Sequence, residues 1–127
     1  MANGTIAFDT LTTSDQVNTG TEKSIDTSYI FNGVAKSWCN YASASSFTIN
    51  DTFNVTSVTD AGAGAGQPQF TNNMANTRYA LALGSNMDNM KSSGNNSTTE
   101  YYLTTMNSSH AATDGSLTMG QVEGDLA

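Results

Sequence analysis

The chain has 127 residues, one domain by length with a thin core: 37% are hydrophobic and 12% charged, against about 45–50% and 25% in an average globular domain. Eleven acids against four bases, Lys23, Lys36, Arg78 and Lys91, give a net charge of −7; nucleic acid and anionic membranes are poor partners, because both are bound through clustered Lys and Arg. A single cysteine excludes an intrachain disulfide, and no stretch approaches the ~20 apolar residues of a membrane span.

Ser, Thr, Asn and Gly fill the missing fraction. Disordered chains are also poor in apolar residues, yet here Phe, Tyr and Trp recur in alternating patterns, which predicts a folded β-protein. Such a chain, without disulfides, gains stability from a metal or from oligomerisation, and a subunit interface adds the apolar burial that the monomer lacks. Met1 to Ile6 lacks a basic region followed by an apolar run, so no export signal is expected.

The first predicted strand covers Thr5 to Leu11, with Ile6 and Phe8 on one face. Thr12 to Lys23 is polar apart from Val17 and predicts a long loop, or an arm ordered against another subunit. Ser24 to Phe31 alternates again, with Ile25 and Tyr29 bracketing polar residues. Asn32-Gly33 then predicts a hairpin turn, since both residues tolerate positive φ. In Val34 to Tyr41, Val34 and Trp38 share one face and Ala35, Cys39 and Tyr41 the other; apolar residues on both faces predict a central strand.

Phe47 to Val58 is the strongest β-segment: Phe47 and Ile49 alternate, Asn50-Asp51 predicts a bend, and Phe53 and Val55 resume the pattern. Ala61 to Gly66 alternates Ala and Gly and predicts a flexible hairpin loop. A phosphate-cradling loop needs a following helix with Lys-Ser/Thr, and Gln67-Pro68 follows instead. Further short strands are predicted at Gln69 to Thr71, Arg78 to Leu83, Glu100 to Met106, Ser116 to Met119 and Gln121 to Leu126. Asn86 to Lys91 has the composition of one helical turn. Many short strands between turn signals predict an all-β fold, a small antiparallel sandwich or jelly-roll-like domain completed by oligomerisation. Residues 1–30 form an N-terminal attachment arm with a short strand, and 31–127 the β-domain.

Little in the chain carries chemistry. His110, the single histidine, lies in the polar loop Asn107 to Ala112 and reads as a surface residue, despite the nearby Asp114. Cys39 sits beside Trp38 with no motif around it and reads as a small buried hydrophobe. Asp51, Asp60, Asp88 and Glu100 are candidates for a glycosidase pair, but a core this small rarely builds a cleft. Asn86-Met87-Asp88-Asn89 offers oxygen ligands at alternate positions, without the Gly and closing Glu of a calcium-binding EF-hand loop. Triplets such as Asn54-Val55-Thr56 and Asn96-Ser97-Thr98 accept glycans only in a eukaryotic secretory protein. No catalytic residue, metal ligand or cofactor is therefore assigned. The candidate surface-recognition loop is Gly94 to Thr99 with its flank, in which Asn95, Asn96, Tyr101 and Tyr102 offer amides and rings suited to sugar; the competing reading packs the alternate tyrosines in the core.

Lys36-Ser37-Trp38-Cys39-Asn40-Tyr41, followed by Ile49-Asn50-Asp51-Thr52-Phe53-Asn54-Val55-Thr56-Ser57-Val58-Thr59-Asp60, resembles a module of fibre and other virion proteins of marine tailed phages. That module reads Lys-Ala-Trp with a short strand, then Ile-X-Asp-Ser-Phe-Asn-Val-X-Ser-Ile-Thr-Asp, a Gly-rich turn and Phe-Thr-X-X-Met. Phe70-Thr71-Asn72-Asn73-Met74 and Tyr79-Ala80 are similar to its last part, Asn3 to Leu11 and Gly124 to Ala127 to the ends of small stand-alone members. The central match covers residues 33–80. It departs at Ala63 to Gln69, where the family continues its turn into a longer alternating strand.

The resemblance implies a virion component and brings no catalytic residues. Three functions follow as expectations: a trimeric tail-fibre or receptor-binding protein, a capsid decoration or head-fibre protein, and, from another class, a polysaccharide depolymerase. The first is favoured, with residues 1 to about 30 attaching to the virion and the loops after residue 83 meeting the host. The expected partners are further copies of the chain, a trimer being favoured, other virion proteins and a host surface glycan, without nucleic acid or membrane insertion; the expected location is the virion, assembled in the host cytoplasm.

Overall fold

The computed structural model describes residues 10–12, 24–44, 47–92 and 95–127. The chain divides into two units, Met1–Val34 and Ala35–Ala127. In the first unit, β1 (Thr10–Thr12) pairs antiparallel with β2 (Ser24–Asp26), Leu11 opposite Ile25. The strand expected over Ser24 to Phe31 stops at Asp26, and α1 (Thr27–Gly33) follows. Asp26 is a residue type that favours the start of a helix, and Asn32-Gly33 ends α1 rather than turning a hairpin. Of the strand expected over Thr5 to Leu11, Thr10 and Leu11 belong to β1 and residues 5–9 lie outside the described residues, as do residues 13–23 of the polar stretch expected over Thr12 to Lys23.

The second unit is the β-domain. Its strands are β3 (Ala35–Ala42), β4 (Thr48–Phe53), β5 (Val55–Asp60), β6 (Ala65–Phe70), β7 (Ala80–Ser85), β8 (Asn89–Lys91), β9 (Leu103–Met106) and β10 (Thr118–Glu123). They form two four-stranded antiparallel sheets, ordered β4-β3-β10-β7 and β5-β6-β9-β8, packed face to face as a small sandwich. Sheets closed by non-consecutive neighbours depend on long-range pairing: β3 lies between β4 and β10, the central position its two apolar faces predict.

The core fills the space between the sheets. Cys39 and Tyr41 of β3, Val55 of β5, Phe70 of β6, Leu103 of β9 and Val122 of β10 pack with Met74 and Tyr101. Phe70 is the centre of an aromatic group, edge-on to Tyr79 at 5.8 Å and tilted against Tyr101 at 5.4 Å, geometries that favour aromatic pairs. Burial raises the Cys39 thiol to about 12 and pushes the Tyr41 and Tyr101 phenols up as well.

The chain leaves the first sheet for the second at one residue. Asn54, with φ 55, separates β4 from β5, so the segment Phe47 to Val58 makes two strands, one in each sheet. The bend expected at Asn50-Asp51 is a bulge: Asn40 pairs with Asp51 and Tyr41 with Ile49, leaving Asn50 as the extra residue.

The Ala-Gly run is not a flexible loop throughout. The β5–β6 turn is confined to Ala61 to Gly64, closed by Ala65 N donating to Gly62 O at 2.8 Å, and Ala65-Gly66 already belong to β6. Gly64, Ala65 and Gly66 are buried because other chain segments lie against them. A Cβ on Gly64 would stand 2.5 Å from the Thr105 carbonyl oxygen, and one on Gly66 2.5 Å from the Tyr41 hydroxyl. Small residues serve close approach here.

The predicted strand Gln69 to Thr71 is the end of a longer β6, Ser116 to Met119 and Gln121 to Leu126 are one strand, β10, and the helical turn expected over Asn86 to Lys91 is a bend leading into β8. Among the described residues no helix is long and apolar enough to cross a membrane.

Candidate interaction face on the first sheet

Alternation sorts the side chains of β3 and β10 into two sets. Ser37, Cys39 and Tyr41 are buried between the sheets, as are Thr118, Gly120 and Val122; Trp38, Asn40, Met119 and Gln121 therefore belong to the outer face. Register extends that face in two rows across all four strands. One row runs Phe53, Trp38, Gln121, Ala82, and the next runs Asp51, Asn40, Met119, Gly84.

The result is a stepped surface. Phe53, 54% exposed on the edge strand β4, stands opposite half-buried Trp38 and makes an aromatic ridge. Beyond β10, the same rows end on Ala82 and Gly84 of β7, and a Cβ on Gly84 would stand 3.0 Å from Met119 Cε, so the methionine lies over the glycine. A depression of about 430 Å³ runs across the sheet from β4 to β7, lined by Trp38, Asn40, Asp51, Gly84, Met119 and Gln121 among others. Of the five exposed large hydrophobic residues described in the β-domain, Ile49, Phe53, Leu83, Met119 and Leu126, two, Phe53 and Met119, stand in these outer rows, whereas Ile49 opposite Tyr41 and Leu83 opposite Gly120 are on the inward rows of the same sheet. Exposed apolar side chains grouped on one face suit a contact site better than scattered ones do.

The polar groups on the face are tied to neighbours. Asn50 Nδ2 donates to Asn40 Oδ1 at 3.0 Å, Thr52 N to Asp51 Oδ1 at 2.9 Å, and Gln121 Nε2 to Glu123 Oε1 at 3.1 Å. The outer side of the second sheet differs in kind: Ser57 pairs with Gln69 and Thr59 with Gln67, polar residues that water solvates without help.

No family model, curated protein or solved structure matches this chain.

The residues singled out from sequence fall elsewhere. Asn95 is exposed and Asn96 half-buried, its Oδ1 accepting from Tyr102 N at 3.0 Å and from Ser92 Oγ at 3.3 Å. Tyr102 is half-buried, but Tyr101 is fully enclosed in the core and has no ring face to offer a ligand. The recognition set thus loses Tyr101: residues 101 and 102 alternate, and the inward one is part of the aromatic group around Phe70. Gly94 lies outside the described residues.

His110 is exposed in a turn with φ 59, and Asp114 Oδ1 accepts from Gly64 N at 2.6 Å, which commits that carboxylate to the β5–β6 turn. Asn86 bridges to residues 116–117 through its Nδ2 and Oδ1, and Asn89 Nδ2 donates to Asn107 O at 3.2 Å, so these amides hold loops together. Asp51 stands on the outer row of the first sheet, while Glu100 receives a hydrogen bond from Gln69 at the second, so the two carboxylates do not flank one cleft. Among the described residues no three His, Cys, Asp or Glu side chains converge as metal ligands.

Sequence reasoning saw that Trp38 lay on the face of β3 opposite Cys39 and Tyr41, and that Phe53 continued an alternating strand. It missed Ala82, Gly84, Met119 and Gln121 as their neighbours, because their adjacency is set by the placing of β10 between β3 and β7.

Proposed function

We propose that this chain is a bacteriophage virion structural protein, a trimeric tail-fibre or receptor-binding component that acts by assembling rather than by catalysis. The observation that carries the assembling role is the stepped outer face of the first sheet: it leaves Phe53 and Met119 in water, beside half-buried Trp38, on a molecule whose opposite sheet is polar outside. Its virion setting is supported by the resemblance of residues 33–80 to modules of phage fibre proteins. That stretch has a structural logic of its own, since it holds β3 to β6 and the Phe53-Asn54-Val55 step by which the chain passes from one sheet to the other.

The direct test is immunogold labelling of purified particles with antibody against this chain, combined with adsorption of the purified protein to host cells. Label on tails, with adsorption, is expected. Label on heads would replace the tail-fibre role by capsid decoration, and particles without label would overturn a virion role altogether.

A further inference from the structure

We propose that the depression on the outer face of the first sheet binds a neutral saccharide, with Trp38 as the stacking platform and Asn40, Asp51 and Gln121 as partners for its hydroxyls. The inference rests on the reading of the chain as a receptor-binding component and names the class of receptor and the surface that takes it.

At about 430 Å³ the depression falls within the ~300–1,000 Å³ of small-ligand sites, and its lining has their makeup, an apolar surface with a few convergent polar groups. Register brings those groups together. Gln121 stands opposite Trp38, Asp51 opposite Asn40 and Met119 opposite Asn40 on its other side, all in the outer rows of β3, β4 and β10. Each polar side chain is held by one hydrogen bond and keeps capacity for another. Asn40 accepts from Asn50 through Oδ1 and has Nδ2 left to donate, Asp51 accepts from Thr52 N through Oδ1 and has Oδ2 left, and Gln121 donates from Nε2 to Glu123 and has Oε1 left. None of these three remaining atoms has a partner among the described residues.

The lining selects among occupants by what each would leave unpaired. A purely apolar ligand would cover the Asn40 amide and the Asp51 carboxylate without bonding them, and polar groups shut off from water in that way are destabilising. A phosphorylated, sulfated or carboxylated ligand would meet Asp51, the only charged residue of the lining, and no Lys or Arg. A neutral pyranose fits on both counts: one ring face of C–H groups lies on the Trp38 indole, which is half-buried and so held in place, and the hydroxyls around its edge each donate and accept. The directly paired Asn40 and Asp51 offer a donor beside an acceptor, the set that two adjacent hydroxyls need. Phe53 lies outside this lining, so a sugar in the depression leaves it free for contact between copies.

Trp38 is the single tryptophan, so its emission reports this site directly. The full-length protein is titrated with neutral disaccharides, namely lactose, cellobiose, maltose and di-N-acetylchitobiose, and with hyaluronan and heparin disaccharides as acidic probes. A saturable change in Trp38 emission at millimolar concentration is expected from at least one neutral probe and from neither acidic one. Asp51→Asn keeps the side chain's shape and the acceptor for Thr52 N but turns the free acceptor into a donor; it is expected to weaken that binding at least tenfold, as is Asn40→Ala, with far-ultraviolet dichroism unchanged in both. No response to any neutral probe, a response to acidic probes alone, or undiminished binding in both variants would overturn the site. So would binding lost in Asn95→Ala and kept in Asp51→Asn, which would move it to the loop ahead of Tyr101. Saturable binding by a protein that labels no part of the particle would uphold the site and remove the virion role, whereas label on tails and adsorption to host cells without any response of Trp38 would leave that role standing and overturn this site.

Discussion

Asn54 holds Asn72 by its main chain: the Asn54 Oδ1 accepts from Asn72 N at 2.7 Å, and its Nδ2 donates to Asn72 O at 3.1 Å. The side-chain amide thereby reproduces the paired hydrogen bonds that a strand neighbour would make. The same Nδ2 also donates to Lys36 O at 3.0 Å, and Asn54 O accepts from Thr71 N at 3.2 Å, so one residue ties β3 and the segment after β6 to the point where the chain changes sheet. Asparagine suits this place for a second reason: its φ of 55 lies in the left-handed region, which Asn enters more readily than most side chains.

Asn54→Ala should therefore cost about 3 kcal/mol, the sum of a left-handed penalty of about 1 kcal/mol and the loss of hydrogen bonds to groups left without partners. Asn54→Gly removes only the second part and should cost about 2 kcal/mol. Urea denaturation followed by tryptophan fluorescence separates the two. Equal losses would show that backbone conformation at this residue is unstrained.

The β5–β6 turn gives an internally controlled pair. At Gly62, φ is +114 but a Cβ would meet nothing within 4 Å, so Gly62→Ala should cost about 1–3 kcal/mol from backbone strain alone. At Gly64, φ is +67 and a Cβ would stand 2.5 Å from Thr105 O and 2.7 Å from both Thr113 N and Thr113 O. Those are backbone atoms, held by Thr113 N donating to Thr105 O at 3.0 Å and Thr105 N to Gly64 O at 2.9 Å, and they have nowhere to go. Gly64→Ala should cost more than about 4 kcal/mol and abolish cooperative unfolding at room temperature. Thermal melts of the two variants that coincide would contradict the packing described for this turn.

Alkali should unfold the protein. Burial raises the Cys39 thiol from an ordinary 9.0 to about 12, and burial, with the Glu100 charge second, raises the Tyr79 phenol from 10.0 to about 12; burial pushes Tyr41 and Tyr101 up as well. These groups hold their protons more tightly in the fold than in the unfolded chain. Their contribution to stability is whole below about pH 9 for the thiol and pH 10 for the phenols, and is lost as pH climbs toward 12. Tyrosinate absorbance and far-ultraviolet dichroism, followed from pH 8 to 12, should change together in one steep step. Tyrosines titrating smoothly near pH 10 with dichroism intact would show that the phenols are open to water.

Fold class was legible because strand signals are local. The alternation in Val34 to Tyr41 and Phe47 to Val58, and the spacing of turn residues after Pro68, led to an all-β sandwich. What misled were residues whose local preference is shared by two structures. Asn32-Gly33 suits the end of a helix as well as a hairpin, and Ala61 to Gly66 suits close packing as well as flexibility. The interaction face was half legible. Trp38 and Phe53 come from neighbouring strands β3 and β4, but Met119, Gln121, Ala82 and Gly84 join them only through pairing across much of the chain, which no local pattern encodes. Tyr101 and Tyr102 show the same limit in miniature: alternation says that one is inside and one outside, and only the sheet says which.

Sedimentation equilibrium of the full-length, unsubstituted protein at neutral pH tests the central claim most directly, because an uncovered aromatic ridge on a small sandwich predicts association whatever the virion context. A single species of three times the 13.3 kDa chain mass is expected at micromolar concentration. A single species at 13.3 kDa, unchanged up to millimolar concentration, would contradict the proposal that this chain works by assembling with copies of itself.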